Sequence, residues 1–397
     1  MSGLWELRGQ PQAVAALRGA VVRAEVSHAW AFAGPPGVGQ GRAARVLAAA
    51  LNCPIAGGSG GGCGGCETCD RCLRGAFPSL WEFEPTGTFH RVSDVREQWL
   101  RVASRSAAEG SWKVLRVVDA DRMNEAAANA FLKGLEEPPE RTVWVLDVAD
   151  PDELPDTILS RCRVVRFAAW GPEDLDGRAR ELGLSDPGER ALAVRAALGS
   201  PRALERLAAG GGLADLRAHR SILRSLRTGG PAHALLVARE LDEEVKRRTV
   251  ELKATGRNEL AELTELYSGE LPRGVAKQVE ERWARREREA RLLVLQAALD
   301  DLVGALRDSL VLAAGGDGEA LVQADALAEL REEAEALGSA VLLAAADRIL
   351  ATRLALESNV STLLALEALM LELSTLVMVG LPCATPAVRI AAGAVPR

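Results

Sequence analysis

Residues 113–163 hold two short apolar runs with a helix between them, and this alternation limits the possible folds more than any other stretch. Val114-Leu115-Arg116-Val117-Val118 comes first and ends in Asp119. The fragment Ala126-Ala127-Ala128-Asn129-Ala130-Phe131-Leu132-Lys133-Gly134-Leu135-Glu136-Glu137-Pro138-Pro139 follows, then Val143-Trp144-Val145-Leu146, and then Ser160-Arg161-Cys162. Short apolar runs alternating with a helix are the pattern of a parallel sheet buried on both faces. Asp119 then stands at the carboxyl end of a strand, where open α/β sheets bind their ligands.

At 397 residues the chain has room for two or three domains with separate cores. Hydrophobic residues make up 48% and aromatics 4%, a balance that suits mostly helical packing by alanine and leucine. The net charge of −7 argues against a chain that grips nucleic acid unaided. No run of about twenty apolar residues is present, so no membrane span is expected. Met1-Ser2-Gly3-Leu4-Trp5-Glu6 lacks the basic and apolar regions of a signal peptide. The expected location is cytoplasmic, and there seven cysteines point to metal or free thiols more than to disulfides.

Leu4 to Val26 reads as a helix entry, and His28 to Ala33 as a buried strand, with His28 in a structural role. The loop Gly34-Pro35-Pro36-Gly37-Val38-Gly39-Gln40-Gly41 comes next. A working phosphate loop, G-x-x-x-x-G-K-[ST], cradles phosphates on backbone amides, neutralises them with its lysine and holds Mg²⁺ through its hydroxyl. Gly34 and Gly39 keep the spacing, but Gln40 replaces the lysine and Gly41 the hydroxyl residue. The amide nest survives and weak anion binding with it, while the charge that holds a triphosphate is gone. Arg42 is read as a surface residue of the first helical turn.

A helix from Ala43 to Leu51 leads to Cys53, a Gly/Ser linker, and Cys63-Gly-Gly-Cys66-Glu-Thr-Cys69-Asp-Arg-Cys72. Repeated C-x-x-C steps suit tetrahedral Zn²⁺ in a closed, structural site. Five cysteines compete for four positions, and spacing leaves both Cys53 with Cys63, Cys66 and Cys69 and the set Cys63, Cys66, Cys69 and Cys72 open. Residues 77–112 carry Phe77-Pro78 and then a helix rich in Trp and Arg from Val95 to Ala107.

The order strand, acidic end, helix, Glu-Glu-Pro-Pro, strand, Ser-Arg-Cys, with cysteines inserted after the phosphate loop, resembles the clamp-loader branch of the AAA+ proteins. The resemblance implies an α/β AAA+ core over residues 1–169 with a four-cysteine zinc module at about 52–73. A small helical lid (170–212) and an all-α collar domain (213–397) would follow. It implies zinc ligands Cys53, Cys63, Cys66 and Cys69, with Cys72 a free thiol. The degenerate phosphate loop is then Gly34, Gly37, Gly39, Gln40 and Gly41, with Asp119 answering to the Walker B aspartate. Ala120 stands where active relatives carry the water-orienting glutamate, and Asp147-Val148-Ala149-Asp150 where they carry a polar sensor. Asp121, two residues beyond Asp119, would point to the same side along an extended chain, and the preferred reading is a solvated loop aspartate. With lysine, glutamate and sensor all missing, intrinsic hydrolysis is not expected, because phosphoryl transfer rests on positioning and charge.

Against that decay Arg161 is intact. In clamp loaders the matching arginine reaches towards the nucleotide of the adjacent subunit, and the plain alternative is a surface ion pair. The implied role is a non-hydrolysing subunit of the bacterial DNA polymerase III clamp loader. Its partners would be the gamma or tau ATPases, which bind ATP, and the delta subunit, acting on the sliding clamp and primed DNA. A gamma/tau ATPase and a zinc-ribbon nucleic-acid-binding protein are the rival readings.

Beyond Trp170 the chain reads as wholly helical, with capped starts at Asp186-Pro187-Gly188-Glu189 and at Ser200-Pro201, and with Arg202, where the resemblance implies a second sensor arginine, as a relic or a packing residue. Residues 245–291 read as a charged helical hairpin, with pairs such as Glu281–Arg285 and Glu287–Arg291. Near the end Leu363, Leu366, Met370, Leu373 and Val377 form one apolar stripe, and Leu364, Ala368 and Leu371 a second beside it. The tail after Pro382 is expected to fray.

Overall fold

The computed structural model describes residues 3–56, 61–85, 89–266, 275–356 and 360–379, so the tail lies outside the described residues. The chain forms two compact units, Met1–Gly212 and Leu213–Arg397. The first is built on a parallel sheet of β1 (Ala29–Ala33), β2 (Leu80–Phe83), β3 (Lys113–Val117), β4 (Thr142–Val148) and β5 (Arg163–Arg166), in the order β2-β3-β4-β1-β5. Every residue of β1 and β4 is buried, which is why these strands read as unbroken apolar runs. Edge strands β2 and β5 are only partly buried and carry charge, so neither run stands out in the sequence.

Helices α1 (Pro11–Val22), α2 (Gln40–Asn52) and α3 (Glu67–Leu73) contribute to one core, with Leu17, Trp30, Phe32 and Leu47. A second core forms around Trp99, Leu115, Phe131 and Trp144. After α4 (Val92–Asp94) it takes in a π-helical turn (Val95–Trp99), α5 (Leu100–Ser104), α6 (Glu125–Glu136) and the short α7 (Asp156–Leu159). The helical stretch expected over 95–107 therefore begins at Val92 and stops at Ser104, where Lys113 Nζ donates to the Ala103 and Arg105 carbonyls. Asn124 caps α6, its Oδ1 accepting from the Ala127 N–H at 2.8 Å. The rings of Trp99, Phe131 and Trp144 meet edge to face at centroid distances of 5.5 and 4.8 Å. Three further helices, α8 (Pro172–Glu181), α9 (Pro187–Ala196) and α10 (Pro201–Ala208), complete this unit. Asp186 and Ser200 cap α9 and α10 by accepting from the Glu189 and Ala203 N–H groups.

The second unit holds α11 (Gly212–Leu266), α12 (Val275–Ala313), α13 (Leu327–Leu356) and α14 (Thr362–Val379). Gly230 breaks α11 at φ 68°, and Pro231 follows it. His219 Nε2 lies 3.4 Å from Glu244 Oε2, 25 residues on, whereas a continuous helix would separate them by about 37 Å. The chain therefore doubles back at Gly230-Pro231. Lys253 and Glu287 pair at 2.9 Å between the charged limbs of α11 and α12, and Glu287–Arg291 stand 3.9 Å apart, while the Glu281 and Arg285 side chains lie outside the described residues. Among the described helices α14 alone is long and apolar enough to cross a membrane. Leu366, Met370, Leu373 and Val377 bury one face of it in the core with Leu226, Leu299 and Ile349, while Leu364 and Ala368 face outward.

His219 is 4% exposed and sits between Glu244 and Asp301, whose Oδ2 is 2.9 Å from Nδ1. Burial alone would lower its pKa, but the two carboxylates outweigh burial and bring it up to about 9. A raised folded value means the stabilisation is complete below the ordinary value near 6.5 and lost as pH rises through about 9. Stability of this unit is expected to fall by on the order of 3 kcal/mol over that window, with His219→Gln flattening the slope in thermal melts. Identical slopes for the two proteins would rule out this origin.

Candidate functional site

The loop after β1 has the backbone of a phosphate cradle but is filled by the chain itself. Gly37 and Gly39 take φ of 81° and 134°, which only glycine enters readily. α2 starts at Gln40, the lysine position, and Gln40 Nε2 turns back to donate to the Gly34 and Pro35 carbonyls at 3.1 and 2.8 Å. Gln10, 2% exposed, donates through Nε2 to the Val38 and Ala168 carbonyls and accepts from the Ala168 N–H. Trp170 Nε1 also donates to the Val38 carbonyl, at 2.9 Å. A Cβ built on Gly37 would stand 3.2 Å from Arg202 Cβ, so Arg202 packs against the loop as expected of a packing residue. Arg42 is exposed on the first turn of α2.

Arg116 fills the place of the metal-binding hydroxyl. A Cβ added at Gly41 would stand 2.9 Å from both Cζ and Nη1 of Arg116, so glycine at 41 makes room for a guanidinium. Arg116 lies opposite Glu82 in the β2–β3 register and pairs with it at 3.2 Å. On the other side it pairs with Asp147 Oδ2, at 2.8 Å from Nε and again through Nη2. Arg45 on α2 closes the cluster with two bonds to Glu82 at 3.1 and 3.0 Å. Burial pushes the Asp147 carboxyl up, to about 6, against the opposing pull of Arg116. Burial also acts to raise Glu82, but Arg45 and Arg116 outweigh it and lower its pKa. Removing one partner from a buried cluster of this kind costs about 3–5 kcal/mol, because a charge is left uncompensated. A guanidinium already fills the space that a side chain at position 41 would take, and Gln40 at the lysine position is bonded to the loop's own carbonyls. These residues do not fit a magnesium triphosphate.

Two sequence expectations are corrected here. The sequence places Asp147 beyond the second strand as a sensor position; it lies inside β4, and its carboxylate is spent on Arg116. Asp121 does not share a side with Asp119 by alternation, because the backbone there is not extended. Asp119 is left-handed at φ 50° and pairs with Arg122 at 3.7 Å, Ala120–Arg122 forms a 3-10 turn, and Asp121 Oδ2 accepts from the Ala149 N–H. Reading by sequence missed Glu82, Arg45 and Arg116. The available signal was an arginine inside the apolar run 114–118, which a buried strand tolerates only with an acidic partner on a neighbouring strand.

Arg161 stands on the exposed rim of the same unit, just after α7, with 37% of its side chain accessible. Nη1 donates to the Thr157 carbonyl at 2.7 Å, and Nη2 pairs with Glu136 Oε1 at 2.6 Å. Cys162 beside it is a different case, because burial pushes its thiol up to about 12 and it packs on the core.

The cysteines choose between the two candidate sets. The sulfurs of Cys53, Cys63, Cys66 and Cys69 all lie within 4.8 Å of one another. Cys53–Cys66 and Cys63–Cys69 stand at 3.9 and 4.0 Å, far beyond a disulfide bond of about 2.05 Å. Four bonds of about 2.3 Å to one tetrahedral zinc would put the sulfurs about 3.8 Å apart. Cys53 Sγ accepts from the Ala56 and Cys63 N–H groups and Cys66 Sγ from that of Cys69. Led by the Gly65 backbone N–H, hydrogen bonds draw the Cys63 thiol down to about 6, whereas burial raises that of Cys69. Cys72 lies outside this group, fully buried in the core, with its thiol pushed up to about 12 by burial. The first set can hold a metal ion.

The match to a known family falls within the first unit. The family described as DNA polymerase III, delta subunit matches residues 9–170. The chain is 33% identical to DNA polymerase III subunit delta' of Bacillus subtilis, over 46% of this chain and 55% of that protein. It is 32% identical to subunit tau of Escherichia coli, over 42% of this chain and 26% of that one. It therefore spans little more than half, or less, of the curated relatives it matches. A gamma subunit-related protein of Thermotoga maritima is similar in structure at a TM-score of 0.40 and 18% identity, covering 91% of this chain and 99% of that one. Over residues 9–170 the chain is similar to DNA polymerase III subunits, and these matches do not separate delta-prime from gamma and tau.

Proposed function

We propose that this chain is the delta-prime subunit of the bacterial DNA polymerase III clamp loader. In this role it does not bind ATP tightly at its own loop, does not hydrolyse it, and supplies Arg161 to the ATP site of a neighbouring gamma or tau subunit. One observation carries the reading: Gln40 and Arg116 close the phosphate loop from within, while the same unit leaves Arg161 on its rim. Similarity to tau favours the gamma/tau reading equally by sequence. The chemistry of the loop separates them, because a gamma or tau ATPase needs a lysine at 40, a hydroxyl at 41 and a free metal position. A zinc-ribbon nucleic-acid-binding protein is disfavoured by the net charge of −7.

The delta subunit, the sliding clamp and primed DNA would be reached through the complex. Cys53, Cys63, Cys66 and Cys69 would hold a structural zinc that closes the linker onto α2, and the subunit would work in the cytoplasm. The outward stripe of α14, with Leu364 and Ala368, would serve the collar.

Two outcomes are expected. Arg161→Ala lowers hydrolysis at the neighbouring site of the reconstituted complex by roughly a thousandfold, with the melting temperature of this subunit unchanged. Unaltered turnover removes the finger assignment. Metal analysis of the purified chain gives about one zinc per chain, which Cys53→Ser loses and Cys72→Ser retains. The reverse pattern would assign the rival set.

A further inference from the structure

We infer that Glu136 is a positioning residue for Arg161, holding the guanidinium in the orientation in which it meets a phosphoryl group outside the chain; this rests on the reading of Arg161 given above. Glu136 is the last residue of α6, followed by Glu137 as C-cap and then Pro138 and Pro139. A proline disfavours helical backbone at the residue before it, so Pro138 fixes where the helix ends and hence where Glu136 stands. The last turn is pinned, because Trp144 Nε1 donates to the Gly134 carbonyl at 3.1 Å and Trp144 itself is fully buried. A Cβ on Gly134 would collide with Leu100 Cδ2, so the absence of a side chain there seats α6 closely on its neighbour. The carboxylate that faces Arg161 is therefore mounted on a rigid element.

A carboxylate at the carboxyl end of a helix is on the wrong side of the helix dipole, which favours a cation there. Glu136 consequently gains little for α6 by itself and is explained by what it binds. Arg161 supplies the cation, with Nη2 at 2.6 Å from Glu136 Oε1 and Nη1 at 2.7 Å from the Thr157 carbonyl. A guanidinium has five N–H donors in a fixed fork. Two anchors on its terminal nitrogens set its plane and leave donors for an acceptor beyond the rim. Both side chains of the pair are more than a third exposed, so its effect on stability is small and its effect on orientation is what counts.

The test uses the reconstituted complex. Glu136→Gln is expected to lower turnover at the neighbouring site about threefold with KM for ATP unmoved, a size set by the modest strength of an exposed pair. Glu136→Asp should recover part of the loss, and the melting temperature should not move. In an Arg161→Ala background, Glu136→Gln should add nothing, because two residues that act through one interaction are not additive. Unchanged turnover in Glu136→Gln while Arg161→Ala is impaired, or an additive loss in the double variant, overturns the positioning role alone. An unimpaired Arg161→Ala overturns it together with the finger reading.

Discussion

A guanidinium between two carboxylates, packed on the α-carbon of a glycine, decides what this phosphate loop can do. Arg116 bonds Asp147 on β4 and Glu82 on β2 and takes the space beside Gly41. Removing its charge alone would strand two carboxylates in the interior, so the network is hard to dissolve stepwise. A lysine at position 40 alone would not restore the hydroxyl at 41, since Arg116 fills the space beside that glycine. The loop is also tied to the segment after β5 by Gln10 and Trp170, contacts that join the loop to residues 168–170 through protein groups only.

The same unit turns a second cation outward. Phe131 and Trp144 seat α6 on the sheet, the Pro138 step ends it, and Glu136 meets Arg161 at that end. The helix that bears the most recognisable fragment of the sequence thus also sets the surroundings of the rim arginine. On the opposite core, the four-sulfur cluster joins the loop carrying Cys53 and Cys63 to the start of α3. Metal at that position would constrain a Gly-rich stretch that has little apolar surface of its own to bury.

The buried strands β1, β3 and β4, the helix α6 and the loop lesions at Gln40 and Gly41 were legible in the sequence because each follows from a short local pattern. The edge strands were not, since Leu80-Trp81-Glu82-Phe83 and Arg163-Val164-Val165-Arg166 are only partly buried and mix charge with apolar groups. Missing β2 meant missing Glu82, and without Glu82 the arginine at 116 had no visible partner. Asp119 was legible as the end of a strand, but its left-handed turn was not, and that turn defeated the inference about Asp121. The cysteine choice needed three dimensions: spacing allows two sets, and burial sends Cys72 into the core. In the helical unit the stripe through Leu366, Met370 and Leu373 could be read at once, whereas the reversal at Gly230 shows only in three dimensions, where His219 meets Glu244 and Arg248 meets Asp215.

The central claim is that this loop is closed to nucleotide by its own side chains. Titrating Mg-ATP into the isolated chain by calorimetry addresses it most directly, with the Gln40→Lys variant measured alongside. The expected result is no saturable binding at micromolar ATP in either protein, because the variant keeps Gly41 and with it Arg116 in the space beside the loop. Micromolar binding by the native chain, with Mg-ATP displacing Arg116 from Asp147, would contradict it.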